Sequence, residues 1–430
     1  MQKHVDQDLA AIRARGLPVN CGELDEWYST VPSAENAALV YTQSIALLEP
    51  QVDPKQIRPW TLLELPRRIT PVEAALKTQV GEAVTLNTNA LRLAHQAAEL
   101  SRSRYPINLR DGYKTALPHL AGLRDLARLL EFQTFVQSGD GHRTEAAASL
   151  SASLALARSL QSEPVIVSQV VRCAIDGISC RSLERVINLN QLSDVELFSL
   201  SEQVEQNEST NSMLGGLIGE RAGCIELLQL LQNDPAKVNQ LTESNDAEEG
   251  SPFARIKPGL GWKALGFFVR DLEFYLSAMQ AGIDVMALRP PRSLAAGGEF
   301  GAAAERAKSK FCVISSMMLP GLSKVPARDA EDHAALRTAR TALAVERWRL
   351  AHNGELPESL AALVPRFLTA IPEDPFDGKP LRFKKPRIGY IVYSIGPNLQ
   401  DDGGAERMPH STKATREQRN RYDLTFIVER

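Results

Sequence analysis

Aromatic residues are scarce in this chain, 6% of 430, and neither charge sign is in excess, with 49 Lys and Arg against 52 Asp and Glu. The first shortage, set beside an abundance of Ala and Leu, favours helices over sheets. The second excludes a dedicated nucleic-acid binder, whose affinity rests on a basic surplus. Long apolar runs are missing too. Met1-Gln2-Lys3-His4-Val5-Asp6 carries no apolar stretch of the signal-peptide kind, and the most apolar region, residues 260 to 287, is interrupted by Lys263, Arg270, Asp271, Glu273 and Asp284. That region predicts a buried helix, and the chain as written reads as soluble, with no membrane span.

Catalytic and metal signatures are also lacking. Cys21, Cys173, Cys180, Cys224 and Cys312 form no C-x-x-C and cannot all pair within one chain. They are expected as small buried thiols. The histidines (His4, His95, His119, His142, His333, His352 and His410) are scattered, with no H-E-x-x-H. There is no G-x-S-x-G elbow and no Walker A, and Gly259-Leu260-Gly261 lacks the third glycine of a dinucleotide loop. Glu220, Glu226, Asp271 and Glu273 fall on predicted helices, where solvated or ion-paired faces explain them without an acid/base pair.

What is present is helical periodicity. Leu120, Leu123, Leu126, Ala127 and Leu130 recur at three and four, Gly139-Asp140-Gly141 breaks the chain, and Ala146, Leu150, Leu154, Ala157 and Leu160 form a second stripe. Glu163-Pro164 ends it, and a third helix carries Ile166, Val170, Ala174, Ile178 and Leu183. Helix, glycine turn, helix, proline and helix again resemble an α-solenoid or tetratricopeptide-like array, although only Ala152 fits the small-residue positions of that consensus. Further helices are predicted at about 34 to 49, 72 to 102, 195 to 208, 211 to 232 and 262 to 288, with a small, Gly-rich stretch at 293 to 304 and a broken helix at 315 to 322. Gly215, Gly216, Gly219 and Gly223 lie inside a predicted helix, where small residues allow close packing.

The C-terminal part changes pattern. A helix over residues 329 to 351 stops at His352-Asn353-Gly354, Leu356-Pro357 restarts the chain, and Pro372 to Gly378 makes a turn. Leu381-Arg382-Phe383, Tyr390 to Tyr393 and Leu424 to Val428 read as strands, which predicts a helix on a small antiparallel sheet. Tyr393-Ser394-Ile395-Gly396 leads into an acidic glycine loop, Asp401-Asp402-Gly403-Gly404, and Asp423 follows later.

Over residues 334 to 423 this order resembles the soluble domain of type II secretion pseudopilins. The shared marks are the Asn-Gly helix stop, the Leu-Pro step, the turn from Pro372 to Pro380, the Tyr-Ser-x-Gly strand end and the acidic loop. The whole chain is similar to uncharacterised bacterial proteins that carry this module behind a helical domain. Members of that group often start with a membrane anchor; the sequence as written shows no such segment, which is expected of either a truncated chain or a soluble member. The resemblance implies an extracytoplasmic or membrane-associated place, and a calcium ion held by Asp401, Asp402 and Asp423 as a structural site. In this chain Asn398 and Leu399 replace the family's Asp-Gly step, and a basic insertion with Arg407, Lys413, Arg416, Arg419 and Arg421 follows.

The sequence therefore predicts a mainly α protein: a helical-hairpin domain over residues 1 to 325, with a mobile acidic loop at about 234 to 258, and a small α+β module over 326 to 430. The expected function is that of a non-enzymatic scaffold that binds a protein partner, with no nucleic acid. One alternative is a hydrolase-like enzyme with a site between helices. Another is an accessory factor of a secretion or pilus-type assembly at the cell envelope.

Overall fold

The computed structural model describes residues 1–49, 60–208, 211–234, 266–408 and 415–430. The predicted acidic loop, Asp234 apart, lies outside the described residues. The chain is mainly α-helical, with one small antiparallel sheet near its C-terminus. The helices are α1 (Gln2–Ala14), α2 (Cys21–Trp27), α3 (Ala37–Ala46), α4 (Ala74–Leu86), α5 (Thr88–Ala98), α6 (His119–Gly139), α7 (Arg143–Arg158) and α8 (Ile166–Leu189). They continue as α9 (Asp194–Asn207), α10 (Ser212–Asn233), α11 (Phe267–Met286), α12 (Ala295–Ser309), α13 (Val313–Leu322), α14 (Val325–Ala351) and the short α15 (Arg416–Asn420). Strands β1 (Arg382–Lys384), β2 (Tyr390–Ser394) and β3 (Leu424–Val428) lie in that order, with Phe383 opposite Val392 and Val392 opposite Phe426. Among the described residues no helix is long and apolar enough to cross a membrane.

Local chemistry explains most of the boundaries. Asn20 and Asn36 cap α2 and α3 through side-chain oxygens, and Ser193 with Glu196 forms a capping box on α9. The α14 helix stops where Asn353 and Gly354 take positive φ of 54° and 90°, and the Gly354 amide returns to the Arg349 carbonyl. The helix predicted over 72 to 102 is two helices. Asn87 separates them because its buried side chain donates to the carbonyls of Ala83 and Glu49 and accepts from the Glu49 amide. The Gly-rich stretch is helical as well. Its small residues let α12 lie close to its neighbours, and a Cβ at Gly297 would meet the Ser323 carbonyl at 2.7 Å. The helix at 315 to 322 is continuous through Pro320, and its N-terminus is capped by Asp271 of α11, which accepts from the amides of Ile314 and Ser315.

Three apolar clusters hold the array. One joins α1, α10, α11, α12 and α13 around Leu228, Tyr275, Met279 and Phe300. Another joins α3 to α8 around Tyr41, Leu123, Phe132 and Leu156. The third unites α7, α8, α9 and α14 with the sheet through Leu183, Val186, Leu336, Leu343, Tyr390, Val392 and Phe426. Each buried Leu or Phe of these clusters contributes about 2 kcal/mol relative to exposure. The sheet therefore shares its core with α7, α8 and α9, helices that come from far earlier in the chain.

Candidate functional site

Helix α8 carries a ridge of polar and sulfur side chains at steps of three and four, Arg172, Cys173, Asp176, Cys180, Glu184 and Asn188, nearly all turned inward. Arg172 and Asp176 pair at 3.0 Å one turn apart, and Asp332 of α14 meets the same guanidinium at 3.0 Å. Asn207 at the end of α9 donates to Asp176 at 2.6 Å, and Gln169 accepts from Arg172. Burial, and then the charge of Asp332, push the Asp176 carboxyl well above its usual range. The assembly ties α8, α9 and α14 together. Removing one partner would leave a buried charge uncompensated.

Two turns further along α8, side chains act as a partner for the outer edge of β3. Glu184 accepts from the Ile427 amide at 2.7 Å, and Asn188 donates to the Ile427 carbonyl at 2.8 Å while accepting from the Glu429 amide at 2.7 Å. The strand edge, which would otherwise expose unpaired groups, is closed by helix side chains. Burial is the main reason that the Glu184 carboxyl is pushed up to about 7; the Ile427 N–H and Arg68 oppose it. Arg68 grips Glu406 with two bonds at 2.6 and 2.8 Å, lies 3.1 Å from Glu429 and 3.9 Å from Glu184, and so brings the segment before α4 onto the same junction. Arg430 reaches Glu346 and the Ile187 carbonyl.

Between these two networks α8, α14 and β3 enclose a cavity of about 290 Å³. Its five acidic side chains are all engaged: Glu184 with the Ile427 amide, Glu331 with Arg328, Asp332 with Arg172, Glu406 with Arg68, and Asp423 with the amides of Asp402 and Gly404. Cys173 and Cys180 also line it, and burial raises both thiols well above their ordinary range. Burial of this kind disfavours the thiolate, which suits packing groups better than nucleophiles.

The structure brings Asp401, Asp402 and Asp423 into one loop, with Asp423 at the cavity and buried. Asp423 staples the loop, accepting from the Asp402 amide at 3.3 Å and the Gly404 amide at 2.7 Å. Asp401 accepts from the Gly403 amide and the Tyr393 hydroxyl through Oδ1, and its Oδ2 lies 3.9 Å from the Arg382 guanidinium; Asp402 accepts from Asn398. A calcium ion requires six to eight oxygens converging on one point. Here the carboxylates turn onto separate donors, a guanidinium stands beside one of them, and no metal-binding group of three or more His, Cys, Asp or Glu occurs among the described residues. As placed, this set fits a hydrogen-bonded turn and does not fit a calcium cage.

The remaining sequence candidates are dispersed. Asp271 caps α13, Glu226 accepts from the Cys21 amide, Glu273 faces His4 on the surface, and burial raises the Glu220 carboxyl. His119 meets Glu163 at 3.1 Å in a buried cluster where Ser168 donates to the same carboxylate. The acid stands between serine and imidazole, so the histidine is not placed to activate that hydroxyl. Sequence reasoning placed Asp374 in the turn from Pro372 to Gly378 but gave its carboxylate no role. This fully buried carboxylate accepts from the Phe376 and Ile395 amides, the Ser394 hydroxyl and Arg382, and thereby locks the turn at 372 to 378 to the end of β2. The co-occurrence of Pro-x-Asp-Pro with Tyr-Ser-x-Gly was the available signal.

A different kind of surface lies where α9 meets α14. Val195 and Phe198, one turn apart on α9, are 77% and 48% exposed. Arg347 stacks over Phe198 at 4.9 Å and Phe367 at 5.7 Å, and Arg366 covers Phe367 at 5.2 Å. Trp348 lies edge-on to Phe367 and stacks on His352. Comparison with protein-family models, characterised proteins and solved structures finds none that matches this chain.

Proposed function

We propose that this protein is a non-enzymatic scaffold that binds a protein partner through the arginine–aromatic surface formed by α9 and α14. The observation that carries this reading is the exposed pair Val195 and Phe198 beside the stacked Arg347, Phe367 and Arg366. Aromatic and arginine side chains dominate binding hot spots because they bury much area for little lost freedom, and exposed apolar side chains gain most from being covered. Arg347 is already paired with Asp194 at 2.7 Å, so among the described residues Arg366 is the guanidinium of this surface left to favour an acidic residue in a largely apolar partner segment. The commitment of every acid around the junction cavity to an amide or an arginine supports a structural role for that cavity. The resemblance of residues 334 to 423 to pseudopilins supports seeking the partner among secretion or pilus-type assemblies at the cell envelope.

A photo-crosslinking residue at Phe198 tests this in cells of the source organism. The expected result is one dominant adduct that disappears with Val195→Asp and is absent when the crosslinker replaces exposed Val167. Identical adducts at both positions would sink the proposal. The hydrolase-like alternative is favoured by one observation, the Glu184 carboxyl pushed up to about 7 at the cavity wall. It requires turnover of an ester, phosphate or glycoside substrate that Glu184→Gln abolishes.

A further inference from the structure

A second cavity, far from the junction in chemistry, lies between the C-terminal end of α7 and the segment after α5. It encloses about 460 Å³ and its lining contains two arginines, Arg102 and Arg158, five serines and no carboxylate. Arg158 is half-buried and its one hydrogen bond among the described residues goes to the neutral Asn207 amide oxygen, at 2.8 Å. No carboxylate lies within ion-pair distance of it among the described residues; burial lowers its pKa, and the charge of Asp176, which Asn207 also bonds, opposes that shift. Ser103 Oγ is buried without a hydrogen-bond partner. Arg102 stands on the opposite wall, held from outside by Glu35 at 2.9 Å, which offsets part of its charge.

The wall is built, not incidental. Asn36 accepts from the Arg104 amide and donates to the Arg104 carbonyl, and the Ala37 amide donates to the Arg102 carbonyl, so the strip from Arg102 to Arg104 is clamped beside the start of α3. Across from it the last turn of α7 presents Arg158, with its terminal carbonyls already taken by the amides of Ser159 and Leu160. The helix end therefore offers little competing negative charge.

We propose that this cavity binds a small phosphate ester. Arg102 and Arg158 are the charged groups of the lining and no carboxylate stands among them, which favours an anion; Arg102 is shared with Glu35 and the Thr30 carbonyl, so Arg158 is the principal donor to the terminal oxygens of a phosphate. The space exceeds a phosphate group alone, and Val31, Leu100 and Ala155 provide an apolar wall for an organic remainder. This inference is independent of the partner surface on α9.

Equilibrium binding of phenyl phosphate, inorganic phosphate and benzoate at matched ionic strength tests it. Phenyl phosphate should bind saturably and more tightly than inorganic phosphate, with affinity reduced about tenfold or more in Arg158→Gln, as loss of one charged contact predicts. Circular dichroism establishes whether that variant folds; if it does not, the same reduction must be met by Arg102→Gln, whose side chain is half-exposed. No saturable phenyl phosphate binding, or affinity unchanged in the deciding variant, overturns the site. Benzoate binding as tightly as phenyl phosphate overturns the ligand class.

Discussion

Glu184 shows how one carboxyl can look catalytic and act structurally. Its pKa is raised in the fold from an ordinary value near 4.5 to about 7, so between those values the folded state holds the proton more tightly than the unfolded chain does. Protonation then favours folding. Its contribution is complete below about pH 4.5, declines as pH rises through this window, and becomes a cost of about 3 kcal/mol above pH 7. Gln retains an oxygen for the Ile427 amide and cannot ionise. Urea unfolding at pH 5 and pH 8 should therefore show a smaller loss of stability in Glu184→Gln than in the native chain; an equal loss would contradict the assignment. The buried Asp176 leaves part of the native slope in place, since its pKa is raised as well. None of this was visible in sequence, because the burial that raises Glu184, and the Ile427 amide and Arg68 that oppose it, come from packing with segments far away along the chain.

At the scale of elements the sequence was more informative. Periodic apolar stripes identified α6, α7 and α8, and the Asn353-Gly354 stop marked a helix end, since these signals are local and the physics they report is local. The failures had tertiary causes. Asn87 breaks a helix because Glu49 and Ala83 receive its side chain, and in α12 Gly297 allows the close approach of the Ser323 carbonyl. The glycines of α10 are legible in hindsight through the same logic: a Cβ at Gly219 would overlap the Pro164 carbonyl oxygen, and one at Gly216 would crowd Ile166. Gly219→Ala must therefore push α10 away from the start of α8 despite alanine's better helix propensity. The expected outcome in thermal or urea unfolding is a loss of about 2 kcal/mol, as for overpacked sites, and a gain in stability would show that the contact yields freely. Of the candidate site, the acidic loop was legible as a loop, and Asp423 as its returning carboxylate. Its use as a staple for two amides needed the fold.

At the scale of the whole molecule, the small sheet and the helical array form a common core. α14 starts at Val325, and its inner face contacts α8 and α9 on one side and the sheet on the other. Glu184 and Asn188 close the β3 edge, Arg68 draws in the segment before α4, and Arg430 reaches back to α14. The proposed scaffold role would benefit from this rigidity, since surfaces held in fixed relation bind without an ordering cost. The most direct test is amide hydrogen exchange of Ile427 and of the buried α8 amides, in the native chain and in Asn188→Ala. The account predicts that both sets exchange through one shared opening, and that Asn188→Ala accelerates them together. Exchange of Ile427 through an opening independent of α8, unaffected by Asn188→Ala, would contradict it.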